Sequence, residues 1–416
     1  MAIIRPFRAI RPIAEKAEKV AALPYDVMNS EEAREMVKDN PYSFLHIDKA
    51  EIDLDPSIDL YHEEVYQKAR QNMENMIRNG IMIQDENPLF YIYCLTMNGK
   101  SQTGLVVCTS IDEYLNNTIK KHELTRADKE ADRIHHVDIL NANTGPIFLA
   151  YHKNEQIKSI LHTVMKEQKA VYDFVSEDGI GHKVWLISDE KNISELIALF
   201  EKIPNLYIAD GHHRNASAVK VGLKRRQSKP NYTGEEEFNY YLSVLFSDDE
   251  LYIMDYNRVV KDLNGLTEKE FLEKIGEKFE IELYQEKGCC SPKQRHQFGM
   301  YLGQTWYLLT TKKNIIQKDI VAALDVSILQ KEVLEPILAI GDPRTDKRID
   351  FIGGIRGLEA LQQKVDSGDM KIAFSMYPTS MEELMSVADE NRTMPPKSTW
   401  FEPKLRSGLF IHALEK

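Results

Sequence analysis

Five consecutive residues, Asp210, Gly211, His212, His213 and Arg214, carry the densest chemistry in the chain. They follow the apolar run Leu206, Tyr207, Ile208 and Ala209 directly, and Ala216, Val219 and Leu223 then recur at helical spacing. A strand that ends in an acid and a glycine, with a helix opening at once, presents free backbone N–H groups and a positive helix end to an anion. Gly211 permits close backbone approach, and Arg214 can grip phosphate oxygens with paired N–H donors. Asp210 can hold Mg²⁺, a cation that takes carboxylates together with phosphate oxygens. An acid, two histidines and an arginine crowded behind an apolar strand are more than a solvated, capped turn requires. Adjacent residues on a helix point about 100° apart, so the pattern does not say whether His212 or His213 acts.

Other stretches could contribute. Lys121, His122, Glu123, Leu124, Thr125 and Arg126 place a proton carrier beside a metal or hydroxyl partner, within a polar run that continues through Asp132, Arg133, His135 and His136. A solvated charged helix face explains that run equally well. Pro24, Tyr25, Asp26 and Val27 form a proline-set turn bearing a carboxylate. The stretch Met394 to Lys404 is stiff, basic and aromatic, and its Lys397 and Trp400 suit either a ligand site or a structural strap. Asp350 to Gly357 lacks the spacing of a dinucleotide fingerprint and reads as a tight strand-to-helix turn. Walker, zincin, nucleophile-elbow and EF-hand motifs are absent from the sequence.

The elements that must position these residues alternate in blocks. Helices are predicted after Asn29 and Ser30, over Tyr61, Val65, Ala69, Met73, Met76 and Ile77 up to Asn79 and Gly80, and over 192–202, 268–279 and 318–329. Gly222 leaves the length of the helix after Arg214 open. Strands are predicted at 89–97 and 102–109 around the hairpin signal Asn98–Gly99, then at 146–152, 170–175, 182–188, 306–311 and 371–376. Tyr240 to Ser247 and Leu251 to Met254 read as a hairpin turning at Asp248–Asp249. Blocks of this kind favour an α+β fold with a mixed sheet core over a doubly wound sheet. The polar approach from Lys229 to Glu237 sets the expected boundary, with an N-terminal lobe over 1–230 and a second α+β lobe over 231–416 whose 394–404 loop returns to the site.

The 416 residues carry a net charge of −12, which counts against a general nucleic-acid binder. Cys94, Cys108, Cys289 and Cys290 fit neither a zinc site nor a disulfide framework. The charged N-terminus is unlike a signal peptide and no run of 18 apolar residues occurs, so a cytoplasmic protein is expected. Oligomeric state, a homo-oligomer included, is left open.

The ordered set Arg5-Pro-Phe-Arg8, Pro24 to Val27, His122-Glu123, Asp210 to Arg214, Asn257-Arg258 and Met394 to Lys404 resembles the DUF1015 family across nearly the whole length. Its Asp-Gly-His-x-Arg loop also resembles the phosphate loop of the ParB/sulfiredoxin-like superfamily, which includes nucleotide hydrolases and free L-serine kinases. Position 213 is His here, where the serine kinases carry Thr, and the sulfiredoxin cysteine is absent. The resemblance implies a nucleotide-binding region in which residues 210–214 hold phosphates and Mg²⁺, with ATP or ADP as donor. It implies a kinase making O-phosphoserine, with Asp26 as the acid that activates the hydroxyl. Glu123 is a second candidate for that role, Lys397 a second phosphate clamp, and His122, Arg258 and Trp400 candidate substrate contacts. The alternatives are a nucleotide-sensing ParB-like regulator and a nucleotide hydrolase without a small-molecule acceptor.

Overall fold

The computed structural model describes residues 1–415, which divide into two compact units. The first comprises Met1–Lys121, Thr125–Leu251 and the residues from Pro403 onward; the second comprises His122–Leu124 and Tyr252–Glu402. The fold is α+β, with a large mixed sheet in the first unit. That unit runs past the expected boundary at 230 because Tyr240–Ser247 is built into its sheet. This strand pairs antiparallel with Lys100–Ser110 and parallel with Ile147–Tyr151, so it cannot belong to a separate lobe.

The first sheet has nine strands. Its order runs Ile119–Lys120, Leu206–Asp210, Ile147–Tyr151, Tyr240–Ser247, Lys100–Ser110, Phe90–Met97, Gly181–Ile187 and Tyr172–Val175, with Ile4–Arg5 also on Lys100–Ser110. Phe90–Met97 and Lys100–Ser110 form the predicted hairpin, with Asn98 at φ 52° and Gly99 at φ 75°, the left-handed pair such a turn demands. Leu206 and Ile208 are fully buried in the core cluster below the sheet. Burying one such side chain contributes about 1.5–3 kcal/mol, which anchors the end of the strand from which Asp210 projects. A second cluster joins Ala33, Phe44, Val65, Ala69, Met73 and Leu140 among the helices.

Helix Ser30–Val37 starts with the predicted cap: Asn29 and Glu32 exchange side-chain and backbone bonds in a capping box. Helix Glu63–Arg78 buries Val65, Ala69, Met73 and Met76, while Tyr61 and Ile77 stay exposed at its margins. Helix His212–Ser228 runs straight through Gly222, where a Cβ would meet the Phe238 carbonyl at 2.5 Å. Close packing, not a helix end, requires glycine there.

The second unit holds a six-stranded antiparallel sheet ordered Phe279–Leu283, Thr305–Thr311, Gln297–Leu302, Ile372–Met376, Tyr256–Val260 and Ile349–Gly353. Two expectations fail here. Tyr252–Met254 pairs with Trp400–Glu402 rather than turning back on 240–247. The helix predicted over 318–329 is helical only from Asp325 to Leu329, because Asp319 instead turns the chain by accepting from the Val321 and Ala322 amides. Among the described residues no helix is long and apolar enough to cross a membrane.

Candidate functional site

The strand Leu206–Asp210 is pinned by its neighbours Ile119–Lys120 and Ile147–Tyr151, and its register slips between Ile208 and Asp210. The slip leaves Ala209 as the extra, unpaired residue and sets Asp210 opposite Phe148. Gly211 then takes φ 92°, a conformation that strains any side chain, and the helix opens at His212. The guanidinium of Arg214 folds back over Gly211: a Cβ there would lie 3.2 Å from Arg214 Cζ. Glycine is therefore needed twice, for the turn and for the cover.

Asp210 is ringed by donors. Its Oδ1 accepts the Gly211 N–H at 2.9 Å, Lys404 Nζ stands 3.4 Å from Oδ2, and Arg214 Nη2 stands 3.8 Å from Oδ2. Burial works against its charge, but Lys404, then Arg214 and His212, hold the carboxyl well below its usual range. Arg214 Nη1 donates to the Pro146 carbonyl at 2.5 Å, while its buried Nε has no hydrogen-bond partner among the described residues. Burial disfavours the Arg214 charge, yet Asp210, Asp26, Tyr25 and Asp48 together raise its pKa. The charge of Asp26 thus reaches the loop, and it also acts on His213. His213 Nε2 accepts the Arg126 N–H at 3.0 Å, and burial holds the imidazole below its usual range. His213 is accordingly neutral, with Nδ1–H as its remaining donor. His212 is buried in the first turn of the helix.

The polar run ahead of this loop is not a solvated face. Residues 127–140 form a helix that buries Glu130, Asp132, Arg133 and His136. Arg133 Nε donates to Asp132 Oδ2 at 2.9 Å, and its guanidinium lies 4.0 Å above the Tyr25 ring. Burial, reinforced by Asp26, pushes the Tyr25 phenol far above its usual range, so it stays protonated. His136 Nε2 donates to the Ile47 carbonyl at 3.1 Å; burial and then Arg133 keep that ring uncharged. Asp48 Oδ1 accepts from Thr144 Oγ1 at 2.9 Å. Tyr25, Asp48, Arg133, His136, Thr144 and Arg214 line one small pocket that is open to solvent.

The first unit thus gathers Asp26, Asp210, Gly211, His212, His213 and Arg214. His122, Glu123, Arg258, Lys397 and Trp400 belong to the second. There the His122 carbonyl accepts the Met394 N–H at 2.8 Å. Arg258 is buried and donates to the Lys397 carbonyl at 2.9 Å and to that of Tyr256, strapping the 394–402 segment down. Lys397 Nζ lies 5.6 Å from the Tyr256 ring, and Trp400 stacks edge-on against the same ring. Trp400 Nε1 donates to Glu402 Oε1 at 2.8 Å.

Sequence reasoning named Arg133 and Lys404 only as members of their runs, with no role of their own, and passed over Asp48. Lys404 ends the motif already singled out, and a lysine closing a rigid Trp-Phe-Glu-Pro stretch was the available signal. Residues 4–327 match the model of a family described as a protein of unknown function, DUF1015. The chain belongs to the DUF1015 family. A search among curated proteins finds no match for this DUF1015 chain. Solved structures similar to it include a free serine kinase in complex with AMP, at 15% identity and a TM-score of 0.37, covering 74% of this chain and 91% of that one. Another is SbnI with a C-terminal truncation from Staphylococcus aureus, at 11% identity and a TM-score of 0.38, covering 71% and 82%. A third is a conserved hypothetical protein from Pyrococcus furiosus, at 14% identity and a TM-score of 0.35, covering 74% and 94%. Scores this low assign neither fold nor activity, and the site's own chemistry has to carry the function.

Proposed function

We propose that this chain is a Mg²⁺-dependent phosphotransferase that moves a phosphoryl group from ATP or ADP to the hydroxyl of a free amino acid, L-serine first among them. The supporting observation is the Arg214 guanidinium, buried over Gly211 at the opening of a 17-residue helix, with Nε unpartnered among the described residues. Such a group, with the helix N–H groups beside it, suits the charge that spreads over a transferring phosphoryl group. Lys404 adds a second cation at the same Asp210 oxygen, Oδ2. A solvated turn would need neither.

Asp210 is the donor available to the metal, since Lys404 and Arg214 touch its Oδ2 only at 3.4 and 3.8 Å. Mg²⁺ keeps most of its waters and is commonly held by one or two carboxylates plus substrate phosphates, so one protein oxygen fits it. When bound it would neutralise phosphate oxygens. In the transfer, the acceptor oxygen forms a bond to the terminal phosphorus as the bridging P–O bond breaks, and the nucleotide leaves with that electron pair. Asp26, which acts on both His213 and Arg214, takes the hydroxyl proton. The neutral His213 offers Nδ1–H as a donor to a developing charge.

The test is to incubate the protein with Mg²⁺, ATP or ADP, and a pool of hydroxyl amino acids, and to read new phosphorylated masses. Phosphoserine that disappears in Asp210→Ala is the expected result. Phosphate released without any acceptor would replace this reading with a hydrolase. Nucleotide-dependent thermal stabilisation without a product would replace it with a sensor.

A further inference from the structure

The phosphate loop accounts for Arg214 but not for the pocket beside it. Arg133 uses only Nε, on Asp132; among the described residues its terminal nitrogens have no acceptor. Asp48 is 5% exposed and, among the described residues, uses only Oδ1, on Thr144, leaving Oδ2 without a donor. The Arg133 guanidinium fork and Asp48 Oδ2 therefore open onto the same pocket, still in contact with solvent, and each keeps unused hydrogen-bonding capacity. A ligand that displaces water from these two groups has to complete both.

The charge pattern narrows the partner. A phosphate alone would meet the Asp48 carboxylate, and an amine alone would meet Arg133 and Arg214. A ligand carrying an anion and a cation on neighbouring atoms satisfies both. His136 adds no charge, and Val137, Ile147 and Ala218 leave apolar wall for a short side chain. Arg214 belongs both to this pocket and to the Asp210 loop, so a ligand held by Arg133 and Asp48 has the phosphate loop as its neighbour.

We propose that the pocket is a receptor for an α-amino acid zwitterion, with the carboxylate on Arg133, the ammonium on Asp48 and the side chain directed toward Arg214. It rests on the phosphotransferase reading for its role as the acceptor subsite, but not for its binding. Tyr25 stacks on Arg133 and fixes the fork; Thr144 fixes the carboxylate. The selectivity of the site comes from the spacing of one anion and one cation.

The experiment is calorimetric titration of the full chain, without nucleotide, by L-serine, L-alanine, serinol and L-glycerate. L-serine and L-alanine bind with similar affinity, while serinol, without a carboxylate, and L-glycerate, without an ammonium, each lose at least about tenfold. Asp48→Asn, which retains an oxygen for Thr144, weakens L-serine by about tenfold or more and L-glycerate by less than about twofold. Binding of serinol equal to that of L-serine, or no binding of either amino acid by the wild type, overturns the proposal without any variant having to fold. If phosphoserine forms and Asp48→Asn leaves the KM for serine unchanged, the pocket assignment falls while the phosphotransferase stands. If the amino acids bind as expected and no phosphoryl transfer occurs, the reverse holds.

Discussion

Asp210 and Asp325 occupy comparable places, one just before a helix and the other at the first residue of one, and each takes a backbone N–H on its carboxylate. Their company differs. Asp210 keeps 31% of its side chain exposed and stands between Lys404 and Arg214. Asp325 keeps 8% and, among the described residues, hydrogen-bonds only to His296, through its N–H at 2.9 Å and Nδ1 at 3.0 Å. Cations hold the first carboxyl well below its usual range, whereas burial pushes the second up to about 7. A buried acid by itself is a structural group that prefers its proton. An acid that stays ionised because two cations share it belongs to a site that handles charge.

The contrast breaks most readily through turnover. Arg214→Ala should lower kcat/KM for phosphoryl transfer by about 10³-fold or more, as loss of a transition-state arginine does. Asp325→Asn should leave it within about twofold, since Asp325 hydrogen-bonds to His296 and to none of the residues that handle the phosphoryl group. Equal losses in the two variants, measured as phosphorylated product against time, would erase the distinction.

Stability against pH sharpens the same contrast from the other side. Asp325 has a folded pKa of about 7 against 3.8 as its ordinary value. Its protonated form is favoured by folding, so its contribution is full below pH 4 and is lost as pH rises through 7. In the protonated state it can donate to Nδ1 of His296, which burial and Arg295 keep neutral. Asparagine imitates that state at every pH. Asp325→Asn should therefore melt higher than the wild type at pH 8, by up to about 4 kcal/mol in stability, with the gap narrowing toward pH 5. Asp210 has the opposite sign: its contribution is present above the ordinary carboxylate range and is lost on acidification. A gap for Asp325→Asn that grows toward acid would mean that His296 carries a charge after all.

Much of this was legible in the sequence, and the part that was not has a common cause. Asn98–Gly99, the Asn29 cap and the apolar strand running into Asp210 are local signals, and the structure keeps each of them. The Asp-Gly-His-His-Arg run announced its charge density in the same way. What stayed hidden depends on partners far away in the chain. Lys404 reaches Asp210 across 194 positions, and nothing near residue 404 says so. The polar run 127–140 shows its charges but not that Tyr25 and Tyr66 close over them. Tyr240–Ser247 looks like half of a hairpin because turn residues follow it, yet its register is set by Lys100–Ser110 and Ile147–Tyr151. Period and turn chemistry specify an element; the pairing that gives it a role is decided by the rest of the core.

The smallest expected effect tests whether the loop's geometry matters apart from its charges. Gly211 sits at φ 92° beneath the Arg214 guanidinium, whereas Gly357, at φ 74° in the second unit's strand-to-helix turn, has only the end of Glu359 nearby. Alanine at either position carries the strain of a positive φ, about 1 kcal/mol or somewhat more. Both variants should thus lose thermal stability, Gly357→Ala the more, because its ψ of 163° lies in a region open essentially to glycine alone while Gly211 is left-handed helical. Only Gly211→Ala also presses on a catalytic group, because its Cβ would stand 3.2 Å from Arg214 Cζ and Nε and displace the fork from the helix opening. Its turnover should fall by about tenfold or more although Gly357→Ala loses more stability, since misplacing a positioning group by under an ångström is expensive in rate. If the two glycine variants lose activity only in proportion to their stability, the cover of Gly211 by Arg214 is packing, and the distinction between the two regions rests on charge alone.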